Sequence, residues 1–466
     1  MGKLASQEQT PETDIEVEID AIDEDIDALE DQETVEGEDN FASLLGGKEE
    51  EEQPRIAEVD IDETLSMEAR PVPRIAIHAF CDSPETGVVI QRAASDRRLS
   101  KAHVTVHMGG LPAAIAQYRN STTPNLVIVE DHSKQEELFA NLLKFAEVCD
   151  PTTKVMVVGK TNDVGLYREL IKQGVSEYLV SPLTPLQIIA SISTIYVDPA
   201  APPIGRSVAV VGAKGGVGSS TIAHHVGWCM ADGLEEDVTL IDLDIPFGTA
   251  GLDFNQDATQ GIADALTSPE RLDDVLLDRL LVKCNDHLSL FASPSVLDRD
   301  IDLDTETYES VLEIVRTMVP TVVLDVPHIW TPWTKHVLFT SDEVIITATP
   351  DLACLRNVKN IIDLVKAARP NDSPPRVVLN QVGMPKRPEI PAKDFEEATG
   401  VETSLIIPFD AQLFGTAANN GQMVTELPGN SKIKDGLRKL SYDVSGREPP
   451  ETKNKGLLGM LGLGSS

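Results

Sequence analysis

The sequence predicts an α/β protein with two units in series, a smaller one with five strands and a larger one with seven, each built on a parallel sheet. Three observations predict it. Short β-branched runs alternate with amphipathic stretches of helical length from Arg74 to Val444. A Pro-rich segment, DPAAPPIG, interrupts that alternation at residues 198–205. The length of 466 residues also suits two or three domains at roughly 100–200 residues each.

Ahead of the first strand lies an acidic head. The chain holds 76 acidic and 39 basic side chains, a net charge of −37, and residues 1–70 hold 25 and 4 of these, a net of −21. Such a segment cannot bury enough apolar surface to offset the entropy of ordering it, so residues 1–72 are expected to be disordered. Its short patch Phe41–Leu45 reads either as a docking point or as part of a solvating tail. The acidic balance excludes strong general nucleic-acid binding, which needs a surplus of Lys and Arg against phosphate.

The first unit, residues 73–196, carries the runs RIAIHAF, HVTVHM, NLVIVE, KVMVVG and EYLV, with helices expected over 86–98, 111–119, 135–146, 163–173 and 185–195. His103 and His107 share one face of a strand here and read as a solvated or capped pair. Residues 197–206 form a stiff linker. The second unit, residues 207–444, carries SVAVVG, VTLIDL, LSLFAS, TVVLDV, EVIITAT, RVVLNQV and TSLIIP. A flexible tail, residues 445–466, ends in a short basic-then-apolar stretch whose glycines disfavour a stable membrane helix, so membrane association is peripheral at most. No run reaches the ~18–20 apolar residues that a membrane span needs. The five cysteines lack CxxC spacing and read as reduced thiols in a cytoplasmic protein.

The most informative segment is VGAKGGVGSST, residues 211–221, directly after an apolar strand and opening the amphipathic stretch IAHHVGWCMA. Glycines there let backbone N–H groups turn inward as an anion nest, and the helix N-terminus adds partial positive charge. A hydroxyl at the helix start can face a divalent cation. His224 and His225 on this helix read as packing or surface residues.

Residues 214–221 resemble the deviant Walker A loop of the ParA/MinD ATPase superfamily, whose pattern is KGGxGK[ST]. Lys214 matches the signature lysine, the usual phosphate-loop lysine is replaced by Ser219, and Ser220 takes the magnesium-ligand position. The resemblance implies ATP and Mg²⁺ held by Lys214, Gly215, Gly216, Val217, Gly218, Ser219, Ser220 and Thr221, with Lys214 reaching across a homodimer to the partner's nucleotide. In LIDLD, Asp244 matches the residue that positions the attacking water, and Asp242 lies nearer the metal. In VVLDVP, Asp325 matches the acidic residue of the Walker B strand, on the Mg²⁺ shell. Asn380 matches the adenine-recognising Asn, and Pro408 and Asp410 in IIPFD match the loop lining the base. Lys214 and Asp244 are thereby the candidate catalytic residues. Loss of the lysine at 219 implies weakened ATP affinity or slow turnover, a weak ATPase, and whether ATP is hydrolysed stays open.

The first unit resembles a receiver domain of the flavodoxin-like kind, but a degenerate one. No acidic pair precedes Asp82, the phosphoacceptor position falls on Glu130, and Ser181 stands where Lys is expected. A pseudoreceiver used for docking or dimerisation follows. Joined to a ParA/MinD-like domain carrying KGGVGSST and IPFDAQLFGTAANNG, it is similar to the CpaE/TadZ family of Flp/Tad pilus assembly proteins. That resemblance covers residues 74–444 and implies a dimeric positioning protein at a cell pole. It implies pilus secretion proteins at the inner membrane, or a polar landmark, as partners. A scaffold that keeps the fold without nucleotide stays open, because of Ser219. Trp330 and Trp333, shortly after Asp325 and Pro327, read as partner contacts or as packing.

Overall fold

The computed structural model describes residues 71–196, 204–258, 260–293, 297, 304–429 and 431–446. The acidic head as far as residue 70, the linker from 197 to 203 and the tail from 447 lie outside them. No helix among the described residues is long and apolar enough to cross a membrane. All five cysteines are free; Cys81, Cys229 and Cys354 are buried, whereas Cys149 and Cys284 are partly exposed.

In the first unit the apolar runs form β1 (Ala76–Cys81), β2 (His103–Met108), β3 (Leu126–Glu130), β4 (Lys154–Gly159) and β5 (Glu177–Val180). The sheet order is β2-β1-β3-β4-β5, with every pair parallel. This is the flavodoxin-like order expected of a receiver-like unit. The helices are α1 (Pro84–Ala94), α2 (Gly110–Tyr118), α3 (Gln135–Ala146), α4 (Val164–Lys172) and α5 (Pro185–Tyr196). All of β3 is buried because helices cover both faces. Ile77, Ala79 and Ile128 pack with Ile90 of α1 and Ile189 of α5. Phe80, Val127 and Val129 pack on the other side with Leu111, Phe145 and Leu170. His107 stacks on Phe80 at 4.9 Å between ring centroids.

The second unit contributes β6 (Arg206–Gly212), β7 (Val238–Asp242), β8 (Val282–Lys283), β9 (Leu288–Phe291), β10 (Thr321–Val326), β11 (Glu343–Ala348), β12 (Arg376–Val382) and β13 (Thr403–Pro408). Their order is β13-β12-β11-β6-β10-β7-β9-β8. Only β8, a two-residue antiparallel edge strand, falls outside the seven expected; two residues carry no periodicity to read. The helices are α6 (Ser219–Leu234), α7 (Ala250–Asp253), α8 (Ile262–Thr267), α9 (Asp274–Leu280), α10 (Thr305–Met318), α11 (Pro332–Thr340), α12 (Leu352–Ala368), α13 (Ala392–Thr399), α14 (Ala411–Asn420) and α15 (Lys432–Ser445). Two apolar layers sandwich the sheet, one holding Val311, Val337 and Val358, the other Ile222, Met230 and Leu437. β6 sits centrally between β11 and β10, so the crossovers diverge there and leave a crevice at the carboxyl ends of the strands.

At the opposite, amino end of this sheet a buried charged cluster clasps the two units. Arg97 reaches Asp372 at 2.8 Å and Asp342 at 2.9 Å. Arg98, 2% exposed, pairs with Asp96 at 2.9 Å and also with Asp372. Arg369 meets Asp372 at 2.8 Å and Arg316 meets Asp342 at 2.7 Å. Burial alone would raise the Asp342 carboxyl, but Arg97 and Arg316 outweigh it and bring it down to about 2. Asp372 is likewise held well below the carboxylate range, burial being outweighed by Arg97, Arg369 and Arg98.

Asp372→Ala takes a carboxylate from three buried guanidinium groups, leaving Arg97 on Asp342, Arg98 on Asp96 and Arg369 without an ion-pair partner, and is expected to cost about 3–5 kcal/mol in urea denaturation. Because both carboxyls titrate lower in the folded state, their stabilisation is whole above the ordinary carboxylate value of 3.8 and fades as the pH falls toward 2. The gap between wild type and variant should therefore close in acid.

Candidate functional site

The crevice is floored by the loop from Ala213 to Gly218, which joins β6 to α6. Its carbonyls are tied outward. The Asn380 side chain donates to the Val217 carbonyl at 2.8 Å, and Gln381 donates to that of Gly216 at 3.1 Å. Asn357 of α12 donates to the Ala213 carbonyl at 2.8 Å. In a trans peptide the C=O and the following N–H point opposite ways. Pinning these carbonyls to β12 and α12 thus turns the N–H groups of Lys214, Val217 and Gly218 toward the other side. Gly216 and Gly218 adopt φ +81 and +87, where a side chain is strained. The first helical bond runs from Ile222 N–H to the Gly218 carbonyl at 3.1 Å, so the N–H groups before it face the crevice mouth without intrahelical acceptors. The result is an anion nest capped by a helix dipole.

Acidic strand ends stand beside the loop. Parallel pairing sets Asp242 of β7 and Asp325 of β10 in register as neighbours, both buried. Asp242 accepts from the Asp244 and Ala250 N–H groups at 3.1 and 3.2 Å. Burial, then repulsion from Asp325, pushes its carboxyl well above the usual carboxylate range despite those bonds. Asp244, also raised by burial, accepts from the Phe247 N–H at 3.2 Å. His224, fully buried, donates from Nδ1 to Asp253 at 2.7 Å and places Nε2 3.5 Å from Asp325. Burial opposes its charge, but Asp253 and Asp325 prevail and raise its pKa to about 10, which favours the charged form. His225 behaves oppositely. It donates to the Thr221 carbonyl, accepts from the Val424 N–H at 2.9 Å, and is lowered by burial to about 4.

Lys214 lies across the loop mouth and donates to Asp351 at 2.7 Å; Asp351 also caps α12 and accepts from Thr349 at 2.6 Å. Burial would raise Asp351, but Lys214 and Thr349 bring it down to about 2. Ser220 and Thr221 occupy the first turn of α6, and the Ser219 hydroxyl faces the backbone at Gly212. Asn380 is tied to the loop itself, its carbonyl oxygen accepting from Gln381 N–H. Pro408 stays exposed in register with Val382, and Asp410 caps α14. Trp330 is more than half exposed, whereas Trp333 is buried against Tyr308 at 4.2 Å.

Sequence reasoning missed His224, Asp253 and Asp351, and also His328, which donates to the Gly212 carbonyl at 2.8 Å. A signal for His224 existed. It stands four residues after Ser220, on the same face of the helix.

A crevice of this kind, at the switch point of a doubly wound sheet, places the chain in the class of P-loop α/β folds. Residues 205–374 match the model of an AAA domain family. The pilus assembly protein CpaE of Caulobacter crescentus CB15 is 53% identical to this chain, over 28% of this chain and 98% of that one, with a TM-score of 0.27. The septum site-determining protein MinD of Thermotoga maritima is 24% identical over 273 residues, 55% of this chain and 96% of the relative. A MinD of Pyrococcus horikoshii OT3, solved in complex with Mg-ADP, is 18% identical over 52% of this chain and 96% of that one, with a TM-score of 0.45. On the sequence identity to the Caulobacter protein, together with the AAA match, the chain belongs to the CpaE-type members of the ParA/MinD ATPase superfamily.

Gly218→Ala puts a Cβ 2.7 Å from the Asn380 amide at a φ of +87. It is expected to destabilise the fold by roughly 1–2 kcal/mol. Gly215→Ala meets open space and is expected to leave thermal denaturation unchanged.

Proposed function

We propose that this chain is an assembly factor for a pilus secretion machinery that binds ATP with Mg²⁺ and dimerises through Lys214. The observation that carries the reading is the loop itself, with its carbonyls pinned outward, its N–H groups turned inward and Lys214 at its head. The residues suit a Mg-nucleotide. Ser220 and Asp325 would hold the metal, with Asp242 alongside, and a bound Mg²⁺ would neutralise phosphate charge. Among the described residues no three His, Cys, Asp or Glu side chains form a metal cage. A small hard cation therefore suits the site best, since it keeps waters and phosphate oxygens in its shell.

The N–H groups of Val217 and Gly218 would orient phosphate oxygens, with Gly215, Gly216, Ser219 and Thr221 lining the cradle. Asn380 and Pro408 would border the base. Asp244 would hold the attacking water, and with Ser219 in place of lysine, turnover would be slow. Lys214 would leave Asp351 to reach the partner's nucleotide. Large apolar side chains exposed around the crevice support a second copy there: Phe247, Leu252, Ile329, Trp330 and Leu352. A ligand shifts such an association only by differing affinity for its two states, and the lysine supplies that difference.

In this reading residues 73–196 are a pseudoreceiver, docked rather than phosphorylated. The Glu130 carboxylate supports this, because it already accepts from the Asp82 and Ser83 N–H groups at 2.7 and 2.8 Å and from the Ser83 and Thr86 hydroxyls, each at 2.7 Å. Burial would raise it, but those bonds hold it below its ordinary value. The chain would work in the cytoplasm near the inner membrane, at a cell pole, beside pilus secretion proteins or a landmark protein. Ser219 favours a second reading, a scaffold independent of nucleotide.

Light scattering on the full chain separates the two. Mg-ATP is expected to double the mass of the wild type and to leave Lys214→Ala unchanged. An oligomer indifferent to Mg-ATP overturns the switch and leaves the scaffold. Ser219→Lys is expected to tighten ATP binding at least tenfold in calorimetry, as one added charge-assisted bond is worth about 1.5–3 kcal/mol.

A further inference from the structure

We infer that His224 is a positioning residue that ties the Asp325 strand end to α7, so that occupancy at the acidic pair is transmitted to the exposed rim of the crevice. This rests on the nucleotide site proposed above. The geometry is direct. One imidazole lies wholly inside the protein, with Nδ1 2.7 Å from Asp253 and Nε2 3.5 Å from Asp325. Asp253 is the last residue of α7, and the first, Ala250, donates its N–H to Asp242 at 3.2 Å. One end of this four-residue helix is thus hydrogen-bonded to Asp242 directly, and the other is bonded to His224, whose Nε2 makes no hydrogen bond but lies at ion-pair distance, 3.5 Å, from Asp325.

Between those fastenings α7 carries Leu252, 74% exposed. A ligand that draws Asp325 toward itself acts on His224, and through it on Asp253. The neighbouring His225 shows what a purely structural histidine looks like on the same helix. Both its nitrogens bond backbone groups, Thr221 O and Val424 N–H. Both partners of His224 are carboxylates, and one belongs to the candidate site.

The test is amide hydrogen exchange over residues 247–254 of the full chain, with and without Mg-ADP, alongside calorimetry of Mg-ADP binding. In the wild type, Mg-ADP is expected to slow exchange in 250–254 at least tenfold. Asp253→Ala removes the acceptor of the Nδ1 bond at its partly exposed end; it is expected to weaken binding by less than tenfold and to lose the protection. His224→Ala is expected to lose the protection too, and Asp253→Ala decides the matter if that variant fails to fold. Wild-type protection retained in Asp253→Ala or His224→Ala overturns the inference while the nucleotide site stands. Absence of Mg-ADP binding to the wild type overturns the nucleotide site, and the inference with it.

Discussion

Two carboxylates forced side by side govern the second unit. The register of β7 against β10 leaves Asp242 and Asp325 no choice but to be neighbours, and the sheet and helices bury both. In a medium of low polarisability such a pair is strongly repulsive, so its surroundings must supply compensating charge. The structure answers with backbone N–H groups on Asp242, the buried His224 imidazole against Asp325, and a loop whose N–H groups face the same crevice. A divalent cation bearing phosphate is the ligand such a balance suits best.

The same sheet has a second charged assembly at its other end, with the opposite purpose. At the amino ends of β6 and β11, arginines and aspartates are matched closely enough to hold two α/β units together without a ligand. A buried pair gains little over an apolar contact but is costly to break, which suits a joint that should stay closed. The first unit is thereby fixed away from the crevice, whose rim is left open for another molecule.

Much of this was legible in the sequence. Runs such as LVIVE, SVAVVG and TVVLDV are apolar in their interiors, with polar residues at or near their ends, because their strands are covered on both faces, and each forms a strand at the expected place. The KGGVG loop, Asp242 and Asp325 were legible because a parallel sheet gathers its ligands at the carboxyl ends of its strands, where a carboxylate closing an apolar run must fall. The clasp was not, since Arg97 and Arg98 find partners some 275 and 274 residues further along the chain, a separation that no local pattern encodes. Neither was the commitment of Lys214 to Asp351 or of Asn380 to the loop, since side-chain partners across a crevice depend on loop geometry. His224 carried a positional signal, but its polarity matters only beside the two aspartates that the fold supplies.

The central claim is that the acidic pair and the loop together hold a metal-bound nucleotide. Equilibrium dialysis of ADP against the full chain, with Mg²⁺ and then with the metal chelated, tests it most directly. The account predicts binding that weakens at least tenfold on chelation and that in Asp325→Asn no longer responds to the metal. Binding equally strong with and without Mg²⁺, or none in either condition, would contradict it.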